Sequence, residues 1–348
     1  FILTIVKKTL IILGLILIQA LASSSAGVAG ENLVRAGEEF MRLRNWSVAL
    51  NYFEQALKEN PELGRAWYGK GLSLCQLGKF DEGISALGQA VRIEPKNAEY
   101  LYVTGVCYEW KGKDSWDQSE IYYKKTLELA PKEPQPHHKL ATLFQRQARY
   151  QEAIAEFKKA IEFDPGYFIS YNNLATCYLA IQKPEEAVKL YREAILKTED
   201  PGSYHFYFHL GVALLAANQM NEAKAAFLIE TALTPEFVDA HLDLGNIYVL
   251  ENNLVRAIEE YQEALLIDPD QPEAYYNLGQ LYLSLNQPQL ALKYLERYVE
   301  IKPESGSGHY YLGLCYARMG ERERAWEELS QSLQLGYQPE FLKRKIKR

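Results

Sequence analysis

Proline returns along this chain at a nearly constant interval, and that interval constrains the fold more than any single motif. Pro61, Pro95, Pro131, Pro165, Pro201, Pro235, Pro269, Pro303 and Pro339 follow one another at steps of 34 or 36 residues. A period of that length marks one supersecondary unit repeated along the chain, a unit too small to bury its own apolar face and therefore stacked on its neighbours. Nine copies account for residues 30–339, as 30–63, 64–97, 98–133, 134–167, 168–203, 204–237, 238–271, 272–305 and 306–339.

The interior of each copy repeats as well. One small residue recurs early in the unit, as Gly37, Gly71, Gly105, Ala141, Ala175, Gly211, Gly245, Gly279 and Gly313. A second follows twelve to fourteen positions later, as Ala49, Gly83, Ser119, Ala153, Ala187, Ala223, Ala257, Ala291 and Ala325. Small residues at that separation, one on each of two consecutive helices, allow the helices to cross closely. Large residues such as Tyr108, Phe144, Tyr248 and Tyr282 on the first helix, and Phe53, Tyr123, Phe157 and Tyr261 on the second, fill the remaining space. Pro184 and Pro288 stand where a second helix should begin, a position proline tolerates, whereas the periodic prolines follow the second helix and stop it. Each unit therefore reads as helix, turn, helix.

On these residues the units resemble tetratricopeptide repeats, whose pattern is W-x2-L-G-x2-Y, then A-x3-F, then P. "WYGKGLSL" from Trp67 keeps the first aromatic and the glycine, "NNLATCY" and "HLGVALL" keep the middle, and "AEFKKAIEFDP" keeps the end. The resemblance implies an all-α fold, a right-handed α-solenoid superhelix of about nine helix-turn-helix units in roughly one turn. Two extra residues near positions 114–116, 198–201 and 335–338 break the strict period and are expected to shift the geometry locally.

Composition fits a folded chain of one elongated array: hydrophobic residues are 48% and charged residues 24% of the 348. Setting aside Lys7, Lys8 and the five basic residues of the tail, 31 basic side chains face 45 acidic ones, so the repeat body carries about −14. That sign disfavours nucleic acid as a partner. Residues 340–348 end in "KRKIKR" and read as a basic tail, or as a truncated capping helix carrying Phe341, Leu342 and Ile346.

The N-terminus differs in character from the array. Lys7 and Lys8 precede an apolar run at residues 9–22 that closes on Ala20-Leu21-Ala22, the layout of a secretory signal. Residues 1–22 are thus expected to be a cleaved signal peptide or a retained membrane anchor, with residues 23–29 as a linker. Either route carries the repeats across a membrane, outside the cytoplasm or into a periplasm, and the second leaves the chain associated with the membrane through this segment.

No catalytic constellation assembles from the remaining motifs, and the chain reads as a non-enzymatic protein with no cofactor and no metal. His205 and His209 are four apart, but Phe206-Tyr207-Phe208 between them supplies no Glu, unlike a metalloprotease helix. His137, His241 and His309 fill the slot that Trp67, Tyr171, Tyr207 and Tyr275 fill elsewhere, and read as packing residues with a polar edge. Cys75, Cys107, Cys177 and Cys315 have no metal-ligand spacing and read as buried thiols, with a bridge from Cys75 to Cys107 the one pairing to check.

What recurs is packing, while one face of each first helix varies. The resemblance places the second, fifth, ninth, twelfth and thirteenth positions of each unit along a concave groove. The candidate partner-binding residues there are Tyr68, Tyr102, Trp110, His138, Asn172, Phe208, Leu215, Leu242, Tyr276 and Tyr310. The chaperone-tail clamp of the family needs Lys and Asn at fixed places; here Asn173 matches one, but His138, Thr142, His205 and His209 replace the others. The asparagine ladder of the family's sugar transferases is reduced to Asn173 and Asn277. Such a groove suits a peptide or helix presenting apolar side chains. By the family's habits, an exported array serves as a scaffold in assembling envelope complexes. The alternative is a structural protein whose arrays self-associate as a homo-oligomer. If the signal is cleaved, intact-mass measurement of purified protein should show a chain starting at or near Ser23; a chain retaining residues 1–22 in the membrane fraction would establish an anchor.

Overall fold

The computed structural model describes residues 26–337. The expected segments 1–22 and 340–348 lie outside them. Among the described residues every regular element is helical: eighteen α-helices and two short 3-10 turns. They fall into two compact bodies that divide between Ile181 and Gln182, inside the fifth repeat.

The first body holds four pairs and one further helix. Its pairs are α1 (Ala26–Arg42) with α2 (Trp46–Glu59), α3 (Gly64–Gln76) with α4 (Phe80–Ile93), α5 (Ala98–Lys111) with α6 (Trp116–Leu129), and α7 (Pro134–Arg146) with α8 (Tyr150–Phe163), and α9 (Ile169–Ala180) packs on α8. The second body begins with α10 (Pro184–Lys197), which packs on α11 (Phe206–Ala216), the partner of α12 (Met220–Leu233). It continues with α13 (Val238–Leu250) and α14 (Leu254–Ile267), α15 (Pro272–Ser284) and α16 (Pro288–Ile301), and α17 (Gly306–Met319) and α18 (Arg322–Gln334). Because α1 starts at Ala26, the described part of the expected linker is helical.

The expected close crossing lies within each pair. A Cβ built on Gly245 would stand 2.4 Å from the ring of Tyr261, and one on Gly211 would stand 2.5 Å from the ring of Phe227. Tyr261 and Phe227 are themselves buried, so neither ring can retreat. The first body repeats the arrangement with Gly37 under Phe53 and Gly105 under Tyr123. Burying these rings against the facing helix stabilises the pair, since about 25 cal/mol is gained for each Å² of apolar surface removed from water.

Every turn inside a pair closes through one residue of left-handed backbone. Arg44, Gly78, Gly112, Ala148, Gln182, Asn218, Asn252, Asn286 and Gly320 all have positive φ and stand at repeat spacing. In seven of these turns the amide after that residue reaches back to a carbonyl in the first helix, as Asn45 to Phe40 (2.8 Å), Arg149 to Phe144 (2.9 Å) and Asn253 to Tyr248 (2.8 Å). This is the helix-ending pattern that satisfies carbonyls otherwise left without a donor.

The irregular spacings are resolved locally. In the third repeat the extra residues form the 3-10 turn Lys113–Ser115 between α5 and α6. Those of the fifth repeat displace the start of the sixth repeat's first helix: the 3-10 turn Gly202–Tyr204 and left-handed His205 precede α11. Ala148 is exposed and adopts φ 58°, a conformation unfavourable to any residue with a Cβ. Ala148→Gly should therefore raise stability by about 0.5–1 kcal/mol, read as a higher denaturation midpoint with unchanged slope.

Candidate functional site

In the first body, Tyr68 is half-buried, stacks on Tyr100 at 5.0 Å and donates from its hydroxyl to Glu99 Oε1 at 2.8 Å. Burial, reinforced by Glu99, pushes its phenol far above the ordinary tyrosine range. Tyr102 leans on Tyr123 at 5.9 Å, and burial pushes its phenol up to about 12. Trp110 presents 40% of its surface to solvent at the end of α5.

Beside these rings lies a buried carboxylate. Glu109 accepts from the Tyr123 hydroxyl (2.7 Å), Arg146 Nη1 (2.9 Å) and Lys139 Nζ (3.4 Å), which joins α5, α6 and α7. Its place at the twelfth position was legible in the sequence; its three donors were not, because they come from two other helices. Asn172 is half-buried with its Oδ1 enclosed and without a hydrogen-bond partner among the described residues.

Two expected groove residues are corrected by the structure. His138 is only 7% exposed; its Nδ1 lies 2.9 Å from Ser170 Oγ and its ring meets Phe157 and Tyr167 edge-on. Burial, with Lys139 nearby, lowers its pKa to about 4, so the ring is a neutral packing element at pH 7. Leu242 is 8% exposed and belongs to the core that contains Tyr261 and Leu278. A fifth-position side chain that is short or compact sinks between neighbouring helices, whereas a Tyr there must keep its hydroxyl end toward water or a polar partner.

In the second body, Phe208, Leu215, Tyr276 and Tyr310 are half-buried. The ring of Phe208 meets Phe237 at 4.9 Å and Phe227 at 5.7 Å. Tyr276 meets Tyr298 at 4.9 Å, and burial pushes its phenol up to about 12. Tyr310 lies between Tyr311 and Tyr337, each at 5.3 Å. At the end of α13, Val249 and Leu250 add exposed apolar surface, Leu250 at 73%. Leu250 occupies the thirteenth position, the same register as Trp110, and that register was the signal that could have found it. Further exposed side chains, among them Leu196, Leu266 and Trp326, stand on second helices, where repeat packing does not cover them.

The start of α11 is held by a side chain from the helix that follows it, Glu230. Glu230 is fully buried; it accepts from the Phe208 amide (3.1 Å) and the Thr234 hydroxyl (2.7 Å), and meets His205 Nδ1 at 2.7 Å. The same slot holds alanine in other repeats, as Ala56, Ala90, Ala160, Ala194 and Ala264. Here the two extra residues delay the helix, and a carboxylate takes up an amide at its N-terminus. His209 stacks on Tyr191 at 5.8 Å, and among the described residues no three His, Cys, Asp or Glu side chains are grouped to hold a metal ion.

A cleft of about 750 Å³ opens on the first body between α6, α7 and α8. Leu127, Leu140, Phe144 and Phe163 form its apolar lining, with His137 beside them, while Lys124, Glu128, Glu152, Lys159 and Glu162 carry its charge. All four cysteines are buried free thiols, and Cys75 and Cys107 lie in one core cluster with Leu87 and Val103. No described helix is long and apolar enough to cross a membrane.

Comparison with known proteins agrees with the helix pairs. Models of the tetratricopeptide repeat match residues 34–82, 71–134, 135–195 and 272–305, and a further TPR repeat model matches 245–286. The chain belongs to the tetratricopeptide repeat family as a multi-repeat member. It is similar to the peroxisomal targeting signal receptor of Kluyveromyces lactis, 24% identical over 241 residues that make up 60% of this chain and 42% of the receptor. The chain thus spans about two fifths of the length of that relative. Among solved structures, PilF of Pseudomonas aeruginosa aligns with 64% of this chain and 96% of its own at 20% identity and a TM-score of 0.49. YrrB, described as a TPR protein with an unusual peptide-binding site, aligns with 52% of this chain and 92% of its own at 22% identity and a TM-score of 0.42.

Glu230→Ala, which restores the residue common at that slot, should nevertheless destabilise the second body by about 2–4 kcal/mol, because it strips a buried amide of its acceptor and leaves a cavity. Denaturant unfolding together with amide exchange at Phe208 reads this directly, and unchanged protection there would contradict the assignment.

Proposed function

We propose that this repeat protein is an interaction scaffold, exported or membrane-associated, which binds a peptide or helix of a partner protein on the variable face of its first helices and serves in the assembly of an envelope complex. The observation that carries the binding surface is the set of large apolar groups left partly open at the fifth, twelfth and thirteenth positions of the repeats: Tyr102 and Trp110 in the first body, and Phe208, Leu215, Tyr276 and Tyr310 in the second. Four of the pairs close with Gly against a buried ring, at Gly37, Gly105, Gly211 and Gly245, and none of these side chains stands at that crossing. Large apolar surface left open at such positions marks a contact site, and aromatic anchors dominate contact energetics. The similar Kluyveromyces protein is by name a receptor for a targeting signal, which is in keeping with peptide recognition. Export rests on residues 1–22 alone, and the envelope role on family habit.

Self-association is the second reading, and the exposed Leu196, Leu266 and Trp326 on second helices favour it. Affinity capture from native membranes, followed by mass spectrometry, separates the two: a foreign protein supports the scaffold, and copies of this chain alone support self-assembly. With the captured partner purified, Tyr102→Ala with Trp110→Ala should weaken binding by about 2 kcal/mol, roughly thirtyfold, with little change in melting temperature. Undiminished binding, or a double variant that unfolds, would remove these two residues from the binding surface.

A further inference from the structure

The fourth position of the repeat makes a contact that differs in kind between repeats. In three of them an aromatic donor reaches the carbonyl of the proline six residues earlier: Trp67 Nε1 to Pro61 (2.7 Å), Tyr171 to Pro165 (3.3 Å) and Tyr275 to Pro269 (2.9 Å). In three others the contact is made by histidine Nε2: His137 to Pro131 (3.0 Å), His241 to Pro235 (3.1 Å) and His309 to Pro303 (3.0 Å). Each of these histidines then turns its second nitrogen to a carboxylate. Nδ1 lies 2.5 Å from Glu156, 2.8 Å from Glu260 and 2.6 Å from Glu328, each nineteen residues beyond its histidine.

The pairing is confined to these repeats. Nineteen residues beyond Trp67, Tyr171, Tyr207 and Tyr275 stand Ala86, Leu190, Ala226 and Tyr294, and none is acidic. The corresponding slots of the first and third repeats hold Tyr52 and Tyr122. A neutral imidazole has one N–H and would leave one ring nitrogen with its lone pair toward an oxygen; only the imidazolium donates at both. The proline carbonyl ends one repeat, the histidine lies on the first helix of the next, and the glutamate lies on its second. One proton therefore completes a three-way joint.

We propose that His137 with Glu156, His241 with Glu260 and His309 with Glu328 are proton-binding joints, which tighten three of the repeats on their predecessors in mild acid and loosen them as the pH rises. The surrounding charges are few. Glu156 also receives Lys159, and Lys124, Glu128, Glu152 and Glu162 share the cleft beside His137. His241 faces Glu260 and Glu263, both from α14, and His309 faces Glu328 from α18. At His241 the hydrogen bond to Glu260 outweighs burial and holds the proton above the ordinary histidine range of about 6.5. A group that binds its proton more tightly when folded adds stability in full below the unfolded pKa and loses it as pH rises through the folded one. His138 and His209 shift the opposite way through burial, and so stay neutral across the window above pH 6.5.

The test uses the full chain with ¹⁵N-labelled histidine. Ring spectra near pH 6.5 should show both nitrogens protonated at His137, His241 and His309, and the melting temperature should fall by about 3–6 °C between pH 6 and pH 9. His137→Tyr, His241→Tyr and His309→Tyr together place there the residue that Tyr171 and Tyr275 already supply, and should abolish most of that pH dependence. Glu156→Gln, Glu260→Gln and Glu328→Gln together should do the same while keeping every histidine, so the question stays answerable if the tyrosine variant misfolds. Neutral single-tautomer rings at pH 6.5 in the unaltered protein, or the same pH dependence in either variant, would overturn the proposal.

Discussion

The distance at which two helices of a pair can cross governs the rest of this structure. At Gly245 and Gly211 the facing ring stands where a Cβ would have to be, so the first helix approaches to backbone contact and the ring covers it. Gly71 and Gly83 meet in the same way, each close to the other's carbonyl oxygen. Protein interiors are packed to the density of crystals, so such a contact fixes the crossing instead of merely favouring it. Once it is fixed, the turn that joins the helices must be tight, and a left-handed residue closes it at repeat spacing from Arg44 to Gly320.

That economy leaves other positions unconstrained, and the chain uses them for polar departures of three kinds. Glu109 gathers donors from α6 and α7 beneath the candidate face. Glu230 repairs a helix start delayed by two extra residues. Three histidines reach both a proline carbonyl and a glutamate where other repeats place Trp or Tyr. All are shielded groups, and shielded polar groups are costly unless partnered, which is why each comes with its partners. The same bodies thus contain rigid crossings that do not vary and polar joints that do.

A surface of half-open rings on such a frame is suited to recognition because the frame holds it still. The rings of Tyr276, Tyr298, Tyr310, Tyr311 and Tyr337 brace one another, so less side-chain freedom remains to be lost on binding. In the first body the Tyr68 hydroxyl is held by Glu99, with the same consequence. Where a side chain has sunk into the stack, as His138 and Leu242 have, it serves the frame instead.

Most of the architecture is legible in the sequence because it is made of short-range, periodic constraints. A proline every 34 or 36 residues, a small residue on each helix and a large one beside it specify helix pairs without reference to distant parts of the chain. Gly78, Asn218, Asn252 and Asn286 mark the closing turn equally well, whereas Arg44, Ala148 and Gln182 adopt the same backbone with no such signature, forced there by the helices on either side. Which face-lining residues stay open was not legible, since His138 and Tyr102 hold the same register and only packing against adjacent helices separates them. The partners of Glu109, the Phe208 amide and His205 at Glu230, and the second acceptor at each histidine come from residues on other helices or a full helix away. A hydrogen bond depends on tenths of an ångström, so periodicity could name those side chains, and only the tertiary structure could join them.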